Sequence, residues 1–199
     1  MPHLIYSVPR GRIEASGAGP GNFHVISGGP GSGKSTLIQA LRQRGFRTTL
    51  EAGRVIIQEQ SAIGSQALPW ADRAAFAELM LGWEIHSHRE SGQERGPVFF
   101  DRGVPDVAGY LKLCGLPVPG HVHKACEEFR YNPRVFIAPP WREIYHADAE
   151  RKQSWAEAEA TCQSMIDTYS AYGYRIELLP LASVEERVRF VLKSLFSNL

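Results

Sequence analysis

Between Gly28 and Ser35 the chain reads GGPGSGKS, and Thr36 follows. Glycines at 28, 29, 31 and 33 leave the backbone N–H groups unobstructed, and a lysine and two hydroxyls come directly after them. A loop of this composition can wrap a chain of phosphates. Its amides converge on phosphate oxygens, the ammonium of Lys34 neutralises the β- and γ-phosphates, and the hydroxyl of Ser35 ligates Mg²⁺. Gly28, Gly29, Pro30, Gly31, Ser32, Gly33, Lys34, Ser35 and Thr36 are therefore the candidate contacts to a nucleoside triphosphate, ATP or GTP. A random chain of this size carries the pattern with a chance on the order of one in a hundred, so the flanking sequence must decide.

The flanks supply the elements that such a loop requires. FHVISG, residues 23 to 28, is a short apolar run suited to a buried strand. KSTLIQALRQRG places Leu37, Ile38 and Leu41 at helical spacing and ends on Gly45. Strand, glycine loop and helix thus occur in the order that aims a helix N-terminus, with its unpaired N–H groups and positive dipole end, at the bound phosphate.

Further strands are expected at FRTTLE, ending on Glu51, at PVFF before Asp101, at RVFIAPP and at YRIELLP. Helical patterns lie between them. One follows Glu51; another begins near Pro69 and carries Phe76, Met80 and Trp83 on or near one face. Ser154 with Glu157 and Ser183 with Glu186 form capping boxes. Trp155, Ala158, Cys162, Met165, Ile166, Tyr169 and Tyr172 make one stripe, which reads as core. Five strands alternating with helices predict an α/β fold: a parallel sheet covered on both faces, with ligands gathering at the carboxyl ends of the strands.

Those ends carry the remaining candidates. Asp101 is placed to orient Mg²⁺ or its waters, to take a proton from an attacking hydroxyl, or simply to cap the next turn. Arg102 is placed to pair with a phosphate or with Glu51. Glu51 and Arg54 either face the acceptor near the γ-phosphate or form a solvated pair. Arg151, in the segment PPWREIYHADAERKQ, is the candidate lid cation for the transferring phosphoryl group, against the alternative of a surface charge run. His86 and His88, two apart, point to different helix faces. His121, His123 and Cys126 lack a fourth ligand with matching spacing, so a zinc site is not expected.

Composition bounds the class. The chain has 199 residues, with 22 Lys plus Arg against 21 Asp plus Glu and a net charge of +1. No global field attracts nucleic acid or an anionic membrane, so any anion is bound locally. The three cysteines suit a reducing cytosol rather than a disulfide framework. No segment reaches the roughly 18 apolar residues of a membrane span, and a cytoplasmic location is expected. Residues 1–22, rich in Gly and Pro with an early Pro9, Arg10 and Arg12, read as a leader or edge segment, with LIYSV at 4–8 able to add a strand; residues 23–199 form one domain.

Beyond these readings, ISGGPGSGKSTLIQAL, LEAGRVIIQEQ, VFFDRGVPDVAGYLKLCGLP and YNPRVFIAPPWREIYHADAERKQS resemble the bacterial AAA-like predicted ATPases. These are grouped with the kinase domain of the nicotinamide riboside kinase and NAD regulator proteins. The resemblance runs from about Phe23 onward and is most specific at D-R-G-x-P-D and P-P-W-x-E-I-Y. It implies a three-layer P-loop NTPase of nucleoside or nucleotide kinase type, with five parallel strands in the order 2-3-1-4-5 and a lid after the fourth. It also implies ATP or GTP with Mg²⁺, Lys34 and Ser35 as phosphate and metal residues, Asp101 as the strand-end acid and Arg151 as the lid arginine. Nothing matches the arginine finger of ring-forming AAA machines. The adenylyltransferase domain usual in the NAD regulators has no room in this chain, so a different acceptor is expected.

Two functions follow from these residues. One is a Mg²⁺-dependent kinase passing a γ-phosphoryl group to a small nucleoside- or nucleotide-like acceptor. The other is a nucleotide-binding regulatory module with slow hydrolysis and no such acceptor. A kinase of nucleic-acid ends would need a basic channel, against which the near-neutral charge speaks.

Overall fold

The computed structural model describes residues 19–145 and 154–196. The expected edge segment at 4–8 and Arg151 lie outside them.

Five parallel strands are ordered β2-β3-β1-β4-β5: β1 Phe23–Gly28, β2 Arg47–Thr48, β3 Val98–Asp101, β4 Arg134–Ala138 and β5 Arg175–Leu178. Among the described residues seven α-helices connect and cover them: α1 Lys34–Gln43, α2 Ala52–Ala62, α3 Arg73–Ser91, α4 Val104–Leu113, α5 Gly120–Glu128, α6 Trp155–Ala171 and α7 Val184–Phe196. The 2-3-1-4-5 order implied by the resemblance is the order found.

Strand pleating sorts the core into two layers. Phe23 and Val25 of β1, Val98 and Phe100 of β3, and Val135 and Ile137 of β4 face the layer of α2 to α6. Ile26, Phe99, Phe136 and Ala138 alternate with them and face α1 and α7. Because the central strands are buried on both sides, they read as continuous apolar runs, and these were the strands the sequence exposed.

Two boundaries differ from expectation. The second strand keeps only Arg47 and Thr48 in the ladder. Among the described residues it is an edge strand paired to β3 alone, and Glu51 instead stands at the N-cap position of α2 without a side-chain capping bond. The third helix begins at Arg73, not near Pro69. Asp72 accepts a hydrogen bond from the Ala75 amide at 2.9 Å and so supplies the cap, while Pro69 sits in the turn before it. Both expected capping boxes form, at Ser154 with Glu157 and at Ser183 with Glu186. Along the predicted α6 stripe, Ala158, Cys162, Met165 and Tyr169 are buried in the core, with Ile166 and Tyr172 packed at its edge.

His24 lies within β1, 4 % exposed, its ring tilted against Phe99 at 5.6 Å and its Nδ1 without a partner. Burial, helped by the charge of Arg134, holds its pKa down to about 4. The folded state therefore refuses a proton that the unfolded chain accepts. Stability from this residue is complete above about pH 6.5 and is lost as pH falls toward 4, by roughly 3 kcal/mol in all. Urea titrations at pH 7 and pH 4.5 should show that loss in the wild type and a smaller one in His24→Leu. Equal losses in the two proteins would rule His24 out as its source.

Candidate active site

The glycine loop leaves the central strand where that strand lies against β4. Gly28 has φ 130°, and a Cβ there would fall 2.3 Å from the backbone oxygen of Ala138. Only glycine fits so close an approach. Gly33, at φ 79°, turns the chain into α1, whose first residue is Lys34. Lys34 is 5 % exposed, and its Nζ donates to the Gly29 carbonyl at 2.6 Å and reaches Ser32 Oγ at 3.4 Å. Ser32 Oγ donates to the same Gly29 carbonyl at 2.8 Å. The ammonium thus bridges its own loop.

Two cavities meet at this loop. The larger, about 480 Å³, runs from Pro30 to Thr36 outward between Trp141, Ile144 and Tyr145 on one side and Ala182, Ser183 and Arg187 on the other. Tyr145 rests on Gly31, where a Cβ would lie 2.6 Å from its ring. The smaller, about 420 Å³, is lined by Ser35, Glu51, Arg54 and Asp101 among others. Ser35 and Arg54 line both.

Asp101 ends β3 opposite Ile26, beside the start of the loop. Its amide donates to Thr49 Oγ1 at 3.1 Å, but its buried Oδ1 has no hydrogen-bond partner. Burial first, and then the nearby carboxylate of Glu51, raise its pKa to about 6 against the pull of Lys34 and Arg102. An orphaned carboxylate oxygen lining a cavity with the Ser35 hydroxyl is the donor set that suits Mg²⁺ or its water shell.

Arg102 adopts φ 76°, the left-handed region that a side chain rarely occupies. Its guanidinium shows what holds it there. Nε donates to Glu51 Oε1 at 3.3 Å, while Nη1 donates to the Gly28 carbonyl at 3.2 Å and to Asp106 Oδ1 at 3.0 Å. Of the two partners expected for Arg102, the structure supplies Glu51. The guanidinium is 16 % exposed and is held by the carboxylates of Glu51 and Asp106.

Asp106, in the first turn of α4, is the hub of this arrangement. Besides Arg102 it accepts from Ser27 Oγ, from the Gly103 amide at 3.0 Å and from Tyr169 Oη at 2.6 Å. It ties β1, the β3–α4 turn and α6 into one frame around Glu51. Replacing it with alanine leaves Arg102 and Tyr169 short of a buried acceptor and should cost about 3 kcal/mol. A loss below about 1 kcal/mol in urea unfolding would show that the frame does not depend on it.

Glu84 of α3 is 3 % exposed, and burial, reinforced by the charges of Asp106 and Asp101, pushes its carboxyl well above the usual range.

The structure brings together Gly28 to Thr36, Asp101, Glu51, Arg54 and Arg102. Arg54 Nε lies 3.9 Å from Glu51 Oε2 and is 42 % exposed at the cavity mouth. Asp106 entered the sequence reading only as the last residue of the D-R-G-x-P-D segment, and Glu84 and Arg187 were not singled out. Each carried a signal: Asp106 stands four residues after Arg102, while Glu84 and Arg187 are charges set into apolar helical stripes, after Ala77, Met80 and Leu81 and beside Val184, Val188 and Val191. The histidines are used in packing and surface contacts: His88 among Phe23, Phe100, Phe129 and Tyr131, His121 on Glu78, and His123 on Tyr172.

A parallel 2-3-1-4-5 sheet with this loop after its central strand defines a P-loop NTPase fold of nucleoside and nucleotide kinase type. Residues 23–187 match the AAA domain family, and the chain belongs to that family. A sequence comparison with curated proteins finds no match. Among solved structures, the chain is similar to the NadR protein in complex with NR, with TM-score 0.69 and 16 % identity over 89 % of this chain and 52 % of that one. It thus spans about half that protein's length. It is also similar to deoxyadenosine kinase from M. mycoides, with TM-score 0.59 and 13 % identity over 88 % of this chain and 99 % of that one. Thymidylate kinase from Ehrlichia chaffeensis gives TM-score 0.59 and 14 % identity over 89 % and 99 %. At these identities the likeness is one of fold.

Proposed function

We propose that the protein is a small-molecule kinase that transfers the γ-phosphoryl group of ATP or GTP to a hydroxyl of a nucleoside- or nucleotide-like acceptor. The observation that carries this reading is the meeting of Ser35, Asp101, Glu51 and Arg54 around one cavity beside the loop. A hydrolase has to orient only a water, whereas this cavity of about 420 Å³ has room for an organic acceptor. The kinases of nucleosides and nucleotides among the similar structures support the same class of acceptor.

In this reading the loop amides and Lys34 hold the phosphates. Ser35 and the free oxygen of Asp101 would hold Mg²⁺, whose contribution is to neutralise charge on the β- and γ-phosphates. Glu51, fixed by Arg102, accepts the proton of the acceptor hydroxyl as its oxygen attacks the γ-phosphorus and the bond to the β-phosphate bridging oxygen breaks. Arg54 at the cavity mouth faces the acceptor. Arg151 is proposed, from its place in the sequence, as the cation that closes over the transfer.

Phosphorus NMR tests the proposal directly. The protein is incubated with Mg²⁺, ATP or GTP, and pooled nucleosides, nucleotides and nicotinamide riboside. A new phosphomonoester or diphosphate resonance is expected. Triphosphate loss yielding only inorganic phosphate, or binding without turnover, would replace the kinase with a nucleotide-driven switch.

A further inference from the structure

Arg187 belongs to the first turn of α7, far in sequence from the loop, yet it is one of the largest fully buried side chains, 2 % exposed. Its Nε donates to the Pro180 carbonyl at 2.9 Å and its Nη1 donates to the Ser32 carbonyl in the centre of the phosphate loop at 2.6 Å. The guanidinium carbon stands 5.0 Å from the centre of the Trp141 ring. A Cβ on Gly33 would meet Nη1 at 3.0 Å, so the group lies against the loop itself. Arg187 also lines the larger cavity together with Lys34, Ser35 and Thr36.

This cation is poorly compensated. Its partners are two neutral carbonyls and an aromatic face, and among the described residues it forms no ion pair. Its Nη2 is buried and has no hydrogen-bond partner among the described residues. Burial alone depresses its basicity, with no carboxylate acting against that. A buried cation left with neutral partners is costly, and an opposite charge that meets it offsets part of that cost. The cavity it lines is the one the loop opens for a polyphosphate, so the missing anion has an identified source.

Resting on the nucleotide-binding reading above, we propose that Arg187 is a second phosphate-binding cation, whose charge serves the α-phosphate of the donor nucleotide. Lys34 serves the β- and γ-phosphates at the inner end of the loop, and Arg187 serves the end that faces Trp141, Ala182 and Ser183. The same guanidinium holds Ser32, so arrival of the α-phosphate and the shape of the loop are coupled through one side chain. The planar fork matters: one edge keeps the two carbonyls while the charge of the group serves the phosphate, a division a lysine cannot make.

The test compares wild type, Arg187→Met and Arg187→Lys by calorimetric titration with ATP, ADP and AMP at two salt concentrations, and by the phosphorus NMR shifts of bound ADP. Arg187→Met should weaken ATP, ADP and AMP alike by about 10- to 100-fold and flatten the salt dependence of binding. Arg187→Lys should recover part of the affinity, yet still displace the α-phosphorus resonance of bound ADP more than the β. Unchanged affinities, or equal displacement of both resonances, would overturn the proposal and leave Arg187 as a brace for the loop. If Arg187→Met fails to give a cooperative thermal transition, the Arg187→Lys resonances decide alone. A wild-type protein that binds none of the three nucleotides would instead overturn the nucleotide reading itself, and this proposal with it.

Discussion

Replacing Lys34 with alanine is expected to lower turnover by at least about 1,000-fold while leaving a folded protein. The magnitude follows from what the ammonium does. Charge accumulates on the γ-phosphoryl oxygens as the bond to the β-phosphate breaks, and a preorganised buried cation stabilises that charge without reorganising water. Lys34 is 5 % exposed and sits within its loop, 2.6 Å from the Gly29 carbonyl. Its loss need not unravel the loop, because Ser32 Oγ still bonds Gly29 and Arg187 still bonds Ser32. Circular dichroism and the thermal midpoint should therefore stay close to wild type while phosphoryl transfer collapses. Turnover near the wild-type level in a folded Lys34→Ala protein would sink the assignment of this loop as the site of transfer.

Asp101→Asn should separate activity from stability in opposite directions. The folded pKa of Asp101 is raised to about 6 from 3.8. For an acid raised in this way the folded state binds the proton more tightly than the unfolded chain. Between pH 3.8 and 6 the nucleotide-free protein loses stability as pH rises, and at pH 7 it bears the whole cost of the buried charge, roughly 3 kcal/mol. Asparagine keeps the shape without that charge, so the variant is expected to melt several degrees higher without ligand. Phosphoryl transfer should fall about 100-fold or more, since a neutral amide neither orients Mg²⁺ nor takes a proton. A variant that is both fully active and no more stable would contradict the assignment of Asp101 as an unpaired functional carboxylate. The size of the activity loss at saturating Mg²⁺ further distinguishes the metal role from that of proton acceptor: a metal residue is partly rescued by excess Mg²⁺ and a base is not.

Glu51 and Arg102 show how the two carboxylates divide the work in the proposed reaction. Glu51 is held by a guanidinium that Asp106 and the Gly28 carbonyl hold in turn. Asp101 is left with a buried oxygen that has no hydrogen-bond partner among the described residues. One acid is fixed in place for an acceptor and the other is kept available for a ligand. The positive φ of Arg102 is the local cost of directing its side chain back under the loop rather than out into the cavity.

The sequence by itself determined what depends on neighbours along the chain. The phosphate loop is contiguous, its glycines are required by its own backbone, and the helix that follows starts where the loop ends. The central strands were legible because burial on both faces makes them continuously apolar, and the capping boxes because their partners are three residues apart. The short β2 and the start of α3 were misplaced because an edge strand and an Asp-capped turn carry little of that signal. Tertiary structure alone decided which charges meet. Arg102 meets Glu51, across 51 residues, only because parallel strands set side by side bring the β2–α2 and β3–α4 junctions together, whereas its bond to Asp106 is local, four residues on. Arg187 reaches Ser32 across 155 residues because α7 returns to the same face of the sheet as α1. Pairings of that kind depend on the sheet order, which local propensity does not encode.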